Sequence, residues 1–188
     1  MKKNIKIITS SQADWPDEIL STFKEFNLKQ ICHVPDAGHA KLINLCQSDP
    51  KIICTTLTSE EEGVAMLLGA WLGGDRGALL MQSSGVGNVV NMLGLSKTCR
   101  FPILMLITMR GEWGEFNPWQ NPMGQACRTV LDAIGVRVFE VNSASEIVDT
   151  VTAASAFAFN SQQAVAVILS QKFLGAKSFG DLKSDPKK

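Results

Sequence analysis

Two acidic residues follow the ends of apolar runs in this sequence. Glu60 is the first of three glutamates in the segment TSEEEG, and Asp36 lies in the segment VPDAG. A carboxylate in such a place can move a proton or hold a ligand donor. Both segments also have a structural interpretation. Ser59 and Glu62 match a capping box at a helix start, and Asp36 matches a turn residue that caps the next helix.

A glycine-rich segment, QSSGVGN, spans residues 82–88 and separates an apolar run from a helical pattern. Its glycines permit close backbone approach, and the following helix start offers free N–H groups. A dinucleotide fingerprint does not fit, because Val90 occupies the position of the third glycine. A P-loop is excluded because no Gly-Lys-Ser/Thr occurs. A tight strand-to-helix turn and a ligand-binding turn both remain open.

The segment MRGEWGEFNPWQNPMG, residues 109–124, is long and carries two tryptophans, Trp113 and Trp119, beside Arg110. Long loops in compact domains usually close over a site or bind something. One interpretation is a loop that packs on a partner chain. The other is a lid in which Arg110 binds an anion.

Six β-rich runs alternate with helical patterns along the chain, which is typical of a parallel α/β sheet. We predict strands at residues 30–34, 51–56, 78–82, 103–108, 137–141 and 164–169, and helices at 14–26, 37–47, 59–72, 87–97, 123–134 and 144–159. Three of the strands are almost wholly apolar, so they should be covered on both faces. The expected fold is a three-layer α/β structure, a roughly six-stranded parallel sheet with helices on both faces. Ligands of such sheets bind beyond the carboxyl ends of the strands, where the segments described above should lie.

Length and charge narrow the class of protein. The 188 residues suit one domain, which we place at 1–175, followed by a polar, lysine-rich tail at 176–188. Eighteen basic residues balance eighteen acidic ones, so no nucleic acid or anionic membrane partner is expected. No run is long and apolar enough to span a membrane, and no signal core follows the N-terminus, so we expect a cytoplasmic protein.

Two further expectations concern metals and surfaces. Neither His33 nor His39 has a partner at metal-ligand spacing, so no metal site is predicted in this chain. The helix at 59–72 is apolar on nearly every side, so it should be buried in the core or in an interface. We expect association with a partner or with a second copy through this helix and the one at 87–97.

Taken together, the segments resemble the pyrimidine-binding (Pyr) domain of thiamine diphosphate enzymes, most closely the sulfopyruvate and phosphonopyruvate decarboxylases. Those proteins carry, in this order, a Val-Pro-Asp turn, a helix led by glutamate, a Gln-Asn/Ser-Ser-Gly-Leu/Val-Gly-Asn turn and an Arg-Gly-Glu loop. The resemblance covers roughly residues 25–170.

The resemblance implies a role for each segment. Glu60 would hydrogen-bond the aminopyrimidine of thiamine diphosphate and so activate the cofactor, and Asp36 would transfer a proton. Further contacts to the cofactor are implied for Pro35, Ser84, Gly85 and Asn88. The anionic end of a small 2-oxo acid substrate would bind Arg110 and Gln120. The histidines that some relatives use for proton transfer have no counterpart in residues 110–124, so the proton donor is left open.

The resemblance also implies a partner. The Gly-Asp-Gly…Asn motif that holds the diphosphate through Mg²⁺ is absent from this sequence. The chain therefore looks like the alpha subunit of a split decarboxylase, in a hetero-oligomer with a beta (PP-domain) subunit that binds Mg²⁺. A Pyr–Pyr homodimer within that assembly stays open. Two alternatives also stay open: a subunit of another thiamine diphosphate-dependent decarboxylase or carboligase, and a non-catalytic Pyr-like module that binds a partner.

Overall fold

A six-stranded, fully parallel sheet forms the centre of the protein, described here for residues 14–176 by a computed structural model. Its strands are β1 (Leu28–His33), β2 (Ile53–Thr56), β3 (Arg76–Gln82), β4 (Ile103–Thr108), β5 (Arg137–Val141) and β6 (Ala164–Leu169). They lie in the order β2-β1-β3-β4-β6-β5. The predicted fold class is therefore confirmed, and each predicted strand is found to within a few residues.

Eight α-helices connect and flank the strands in the described residues. They are α1 (Trp15–Glu25), α2 (Ala40–Ser48), α3 (Glu60–Leu72), α4 (Ser83–Val89), α5 (Gly94–Cys99), α6 (Asn121–Ala133), α7 (Ile147–Ser161) and α8 (Gln171–Leu174). Short 3₁₀ turns at Pro118–Gln120 and Ala144–Glu146 precede α6 and α7. Apart from Ala176, the predicted polar tail lies outside the described residues.

Two hydrophobic cores cover the two faces of the sheet. Helices α1, α2 and α7 pack on one face, against strand residues such as Leu80, Leu106 and Val167. Helices α3, α4 and α6 pack on the other, against residues such as Met81 and Met105. Neighbouring residues of a strand point to opposite faces, so an apolar strand contributes to both cores.

Two predicted helix boundaries are wrong. The helix expected at 87–97 is in fact two shorter helices, α4 and α5, with a turn between them. Glycines and β-branched valines give this stretch a low helix propensity, which favours a break. Since α4 begins at Ser83, the glycine-rich segment forms its first turns instead of a loop before it. Helix α2 begins at Ala40, three residues later than expected, because residues 36–38 form a separate turn.

No helix in residues 14–176 is long and apolar enough to cross a membrane. The same residues contain no group of three or more His, Cys, Asp or Glu side chains that could hold a metal ion.

Candidate active site

The segments with chemical potential meet at the carboxyl edge of the sheet. Asp36 follows β1, Glu60 begins the helix after β2, Gln82 ends β3 and Thr108 ends β4. Strands β1, β3 and β4 are neighbours, and Gln82 lies opposite Thr108 in their register. The parallel topology alone therefore brings residues that are 72 positions apart in sequence into hydrogen-bond contact.

Glu60 is held in a nearly buried position at the start of α3. The residue is only 7% exposed. Its Oε2 accepts a hydrogen bond of 2.7 Å from Asn88 Nδ2. A Cβ atom on Gly85 would lie 2.4 Å from the other oxygen, Oε1, so only glycine leaves room for the carboxylate. Three of the predicted site residues, Glu60, Gly85 and Asn88, thus form one cluster.

The helix start around Glu60 differs from the predicted capping box. Ser59 occupies the N-cap position of α3, but its side chain makes no capping hydrogen bond. Glu62 does turn back on the chain, where its Oε2 accepts from the amide of Thr58 at 3.0 Å instead of from Ser59. The three acids still suit the positive end of the helix dipole. Only Glu60 among them is buried.

Asp36 is the centre of a second cluster, and its side chain is 4% exposed. Oδ2 accepts from Thr108 Oγ1 at 2.5 Å and lies 3.2 Å from His39 Nδ1. Oδ1 accepts from the Gly38 amide at 3.1 Å and from Gln82 Nε2 at 3.3 Å. Asp36 therefore does not cap α2, as the turn interpretation predicted, because its oxygens are directed to the strand ends.

These contacts set the protonation state of Asp36. Burial by itself raises the pKa of this carboxyl, but the close contact with His39 and the hydrogen bonds from Thr108 and the Gly38 amide have the larger combined effect. The pKa of Asp36 consequently lies well below its ordinary value, because donors on both oxygens favour the charged form. At neutral pH the cluster holds a fixed, oriented carboxylate.

Ser84 links the turn after β3 to the Asp36 cluster. Its hydroxyl donates to Gln82 Oε1 at 3.0 Å, and the amide of the same glutamine donates to Asp36. Gly85 follows directly in the sequence and contacts Glu60. The first turn of α4 therefore joins the two acidic clusters into one site.

The loop after β4 is held in place by an ion pair and several hydrogen bonds. Arg110 makes a bidentate pair with Glu115, in which Nε and Nη2 each lie 2.6 Å from a carboxylate oxygen. Glu115 also accepts from the amides of Gly111 and Asn117 and from Gln171 Nε2. The ion pair raises the pKa of Arg110 and lowers that of Glu115 to about 2.

Gln171, the first residue of α8 and two positions after β6, connects this loop to the rest of the fold. Its side-chain Oε1 accepts from the backbone amides of Glu112 and Trp113. Its backbone amide donates to the Glu112 carboxylate. Trp113 and Trp119 remain largely exposed at the loop surface. Both interpretations of the loop, a lid and a surface that packs on a partner, are consistent with exposed indoles on a fixed backbone.

Asp36 and Arg110 share a cavity of about 160 Å³ at the carboxyl edge. Its lining also includes Thr108, Met109 and Trp15. Gln120 is not part of that lining; its Oε1 is buried without a hydrogen-bond partner, and its carbonyl packs against Gly111. Pro35 is exposed and lines a separate depression of about 460 Å³ beside Asp36 and His33.

A cavity of about 330 Å³ lies at the opposite end of the sheet, between the C-terminal ends of α5, α6 and α7. It is lined by Lys97 and Arg100, which suit the negative ends of those helices. Ligands of open parallel sheets bind at the other edge, so this cavity is not the candidate site.

Sequence reasoning missed several residues of the site. His39 was considered only as a metal ligand, although its position three residues after an acid was visible in the sequence. Gln82 and Thr108 end strands that were predicted, yet nothing marked them as ligands of Asp36. Glu115 and Gln171 are 56 positions apart and had no sequence signal that would pair them.

Comparisons with known proteins find relatives along most of the chain. The chain is 34% identical to the sulfopyruvate decarboxylase subunit alpha of Methanocaldococcus jannaschii, over 80% of this chain and 89% of that protein. It is 36% identical to the subunit of the same name from Methanococcus maripaludis, over 74% and 84% of the two chains. No protein family model matches the chain.

Two larger proteins resemble it over part of their length. Phosphonopyruvate decarboxylase of Streptomyces viridochromogenes is 38% identical over 54% of this chain, which corresponds to 26% of that protein. The solved 2-oxoglutarate:ferredoxin oxidoreductase of Magnetococcus marinus, with 2-oxoglutarate, coenzyme A and succinyl-CoA bound, superimposes with a TM-score of 0.64. That match covers 85% of this chain and 29% of the other at 14% identity, so it supports the fold alone.

The parallel fold and the named relatives define the class of protein, an α/β subunit related to the 2-oxo acid decarboxylases. Within that class, identity above 30% over most of both chains is decisive. The chain belongs to the family of sulfopyruvate decarboxylase alpha subunits, so the family resemblance read from the sequence is confirmed. The subunit name implies that those relatives act with at least one other subunit.

Proposed function

We propose that this chain is the alpha subunit of a thiamine diphosphate-dependent decarboxylase that converts 3-sulfopyruvate, or a similar anionic 2-oxo acid, to the aldehyde and CO₂. The observation that carries the proposal is the Glu60 cluster. A nearly buried carboxylate has one oxygen held by Asn88, and the described residues offer its other oxygen no hydrogen bond.

The cluster fits the cofactor in its chemistry. An aminopyrimidine ring has nitrogen donors when it is protonated, and a free carboxylate oxygen is the acceptor that such a ring requires. Thiamine diphosphate, when bound, supplies the electron sink that decarboxylation of a 2-oxo acid needs. Glu60 would hold the ring proton, Asn88 fixes the carboxylate through Oε2, and Gly85 leaves room for Oε1. Pro35 and Ser84 would complete the contacts around the ring.

The substrate would bind beside Asp36. Arg110 uses Nε and Nη2 for Glu115, which leaves Nη1 without a hydrogen bond to the described residues. A sulfonate or phosphonate group carries several acceptor oxygens that match this donor. Gln120 remains a candidate for a second contact because its Oε1 is unpaired, although the amide would have to turn toward the ligand. The fixed carboxylate of Asp36 then provides a place to hold or move a proton near the reacting carbon.

The active species would be a complex with a beta subunit that binds the diphosphate through Mg²⁺. Two facts support this: the relatives that match along most of their length are named alpha subunits, and the phosphonopyruvate decarboxylase is about four times longer than the region it shares with this chain. The balanced charge of the chain supports a small-molecule function without a nucleic acid or anionic membrane partner, and we place the complex in the cytoplasm as part of the same proposal.

The test is a comparison of Glu60→Gln with Glu61→Gln in the complex of this chain and its beta subunit. Glu60→Gln keeps the size of the side chain but removes the charge that stabilises the protonated ring. Removal of one preorganised electrostatic contact of this kind lowers the rate by about 100- to 1000-fold. Glu61 is exposed in the first turn of the same helix, so Glu61→Gln should leave the rate within about threefold, in line with a helix-dipole effect below 1 kcal/mol.

Decarboxylation of sulfopyruvate, phosphonopyruvate and pyruvate should be measured side by side, together with thiamine diphosphate titration and the melting temperature. Preference for a different 2-oxo acid would assign the chain to another decarboxylase or carboligase. Cofactor binding that is unaffected by Glu60→Gln, or no turnover of any 2-oxo acid, would leave the non-catalytic module as the better description.

A further inference from the structure

His39 is a buried side chain that the function proposed above does not use. It is fully buried at the N-cap position of α2, and its Nδ1 lies 3.2 Å from Asp36 Oδ2. Both ring nitrogens, Nδ1 and Nε2, are buried, and neither makes a hydrogen bond of acceptable geometry among residues 14–176, so the approach of Nδ1 to Asp36 is a close polar contact. A buried polar atom without a partner is unfavourable for folding, so its presence asks for an explanation.

The surroundings of the ring define its tautomer. In a neutral imidazole one nitrogen carries the proton and the other accepts. Nδ1 faces a carboxylate oxygen, which can only accept, so the proton belongs on Nδ1. Nε2 is then left as an unpaired acceptor in the interior. His39 therefore donates in one direction only, toward Asp36.

The contact with His39 adds a fourth polar neighbour to the Asp36 carboxylate. Oδ1 already has two donors, the Gly38 amide and Gln82. Oδ2 accepts from the Thr108 hydroxyl, and His39 Nδ1 is the second polar group close to that oxygen, at 3.2 Å. A carboxylate has about four acceptor positions; three of them accept hydrogen bonds and His39 Nδ1 lies close to the fourth, which limits the rotation of the group.

The other ionisable groups around this cluster come from two further elements. Arg110, in the loop after β4, is the nearby cation and interacts with Asp36 through space. His33, at the end of β1, interacts with His39, and burial lowers the pKa of His33, which favours its neutral form. Arg110 is committed to Glu115, so His39 is the ionisable group in direct contact with Asp36 in the described residues.

We propose that His39 is a positioning residue for catalysis: through the buried 3.2 Å contact of its Nδ1 with Oδ2, it fixes the orientation and the charged state of Asp36, and so aims that carboxylate into the cavity shared with Arg110. This assignment rests on the proposed function for its catalytic meaning. The geometry of the pair does not depend on it. His39 itself stays behind Asp36 and touches no ligand.

The first experiment uses this chain alone, without cofactor or substrate. Carbon-13 NMR follows the titration of the Asp36 carboxyl in the wild type, in His39→Phe and in His39→Asn. Phenylalanine fills the volume of the ring without a donor, whereas asparagine places an N–H close to the position of Nδ1. We expect about a tenfold higher proton affinity of Asp36 in His39→Phe, and a value near the wild type in His39→Asn. An unchanged Asp36 titration in folded His39→Phe would overturn the proposal.

A second measurement avoids any folding defect of the variants. Nitrogen-15 shifts of the His39 ring in the wild-type protein should show the proton on Nδ1 and a bare Nε2. The opposite tautomer would leave no donor toward Asp36 and would also overturn the proposal.

The third measurement places the pair in the reaction. In the complex with the beta subunit, His39→Phe should move the acidic limb of the kcat/KM profile to higher pH, while His39→Asn restores it. A purely structural role would lower the melting temperature without moving that limb. If the NMR titration shifts but neither variant nor wild type turns over a 2-oxo acid, the proposed function fails and the positioning role stands. If Glu60→Gln abolishes turnover while Asp36 titrates unchanged in His39→Phe, the reverse holds.

Discussion

At the scale of single residues, the position of Glu60 depends on the absence of a side chain at Gly85. Glu60 Oε1 occupies the space where a Cβ on Gly85 would lie, at a separation of 2.4 Å. Real atoms do not approach so closely, so any side chain at this position has to displace the carboxylate. The backbone of Gly85 is helical, so its φ and ψ angles do not require glycine. Glycine is needed here because it has no side chain that would collide with Glu60.

Gly85→Ala therefore tests the geometry around Glu60. The methyl group should push the carboxylate away from Asn88, and we expect at least about a 100-fold loss of decarboxylation with weaker cofactor binding. Gly87→Ala is a matched control in the same helix, because its Cβ would meet only the Met123 side chain, at ordinary distances of 3.6 Å from Sδ and 3.8 Å from Cε. This control should keep full activity and stabilise the fold by about 0.5–1 kcal/mol. Equal loss of activity in both variants would contradict the packing argument.

Residue types in the sequence were sufficient to find the two acids and the neighbours of Glu60, but not the neighbours of Asp36. Glu60, Gly85 and Asn88 were marked by a local motif, and the fold brings them together. The neighbours of Asp36 come from the ends of two strands, β3 and β4, from the turn at Gly38 and from the start of α2. Their pairing depends on the strand order β1-β3-β4, which a single sequence does not reveal.

At the scale of elements, the loop after β4 is organised around one buried carboxylate. The Glu115 side chain accepts from Arg110, two backbone amides and Gln171. These contacts lower the pKa of Glu115 to about 2, below the ordinary 4.5. A carboxyl whose pKa is depressed in the folded state stabilises that state above its ordinary pKa, and the effect is lost as the pH falls through the folded value.

Stability contributed by Glu115 should therefore disappear between about pH 4.5 and pH 2. Glu115→Gln should lower stability at neutral pH and flatten the pH dependence of unfolding across that window. Hydrogen exchange should accelerate at the amides of Gly111 and Asn117, because glutamine keeps only one acceptor oxygen, which is uncharged, where the carboxylate offers two. Glu146→Gln is a suitable control, since this exposed acid holds only the separate turn before α7. Unchanged exchange in the loop of Glu115→Gln would show that Gln171 alone holds it.

Element boundaries were predictable where the hydrophobic pattern was continuous. The apolar strands β3, β4 and β6 were placed within two residues, because burial on both faces leaves an unbroken apolar run. The pattern failed in residues 83–99, where glycines and valines support neither a long helix nor a strand. There the packing of α4 against α6 and α3 decides the structure, and that packing involves residues far apart in sequence.

At the scale of the whole molecule, helix α3 leaves large apolar side chains exposed on one side. Val64 and Leu67 are buried against the sheet, whereas Met66 is 40% and Leu72 79% exposed on the opposite side. The sequence predicted burial on every side, and the described chain provides it on one side only. Since Glu60 lies at the start of the same helix, a partner that covers α3 would also close the site around Glu60.

The combined variant Met66→Gln, Leu72→Gln should therefore weaken association and leave the fold intact. Glutamine keeps a good helix propensity, and substitution of exposed residues changes stability by about 0.5 kcal/mol or less. Loss of buried anchor residues from an interface typically costs more than 1 kcal/mol each, so we expect at least about a tenfold weaker complex.

The control is Val148→Gln on α7. Val148 is similarly exposed, at 43%, but its helix covers the other face of the sheet, away from α3 and Glu60. Sedimentation velocity of the chain with its beta subunit, and of the chain alone, separates hetero-association from self-association. Decarboxylation should fall in parallel with complex formation in the double variant and stay unchanged in Val148→Gln. If Val148→Gln dissociates the complex and the α3 variant does not, the partner binds the opposite face, and the exposed side of α3 needs another explanation.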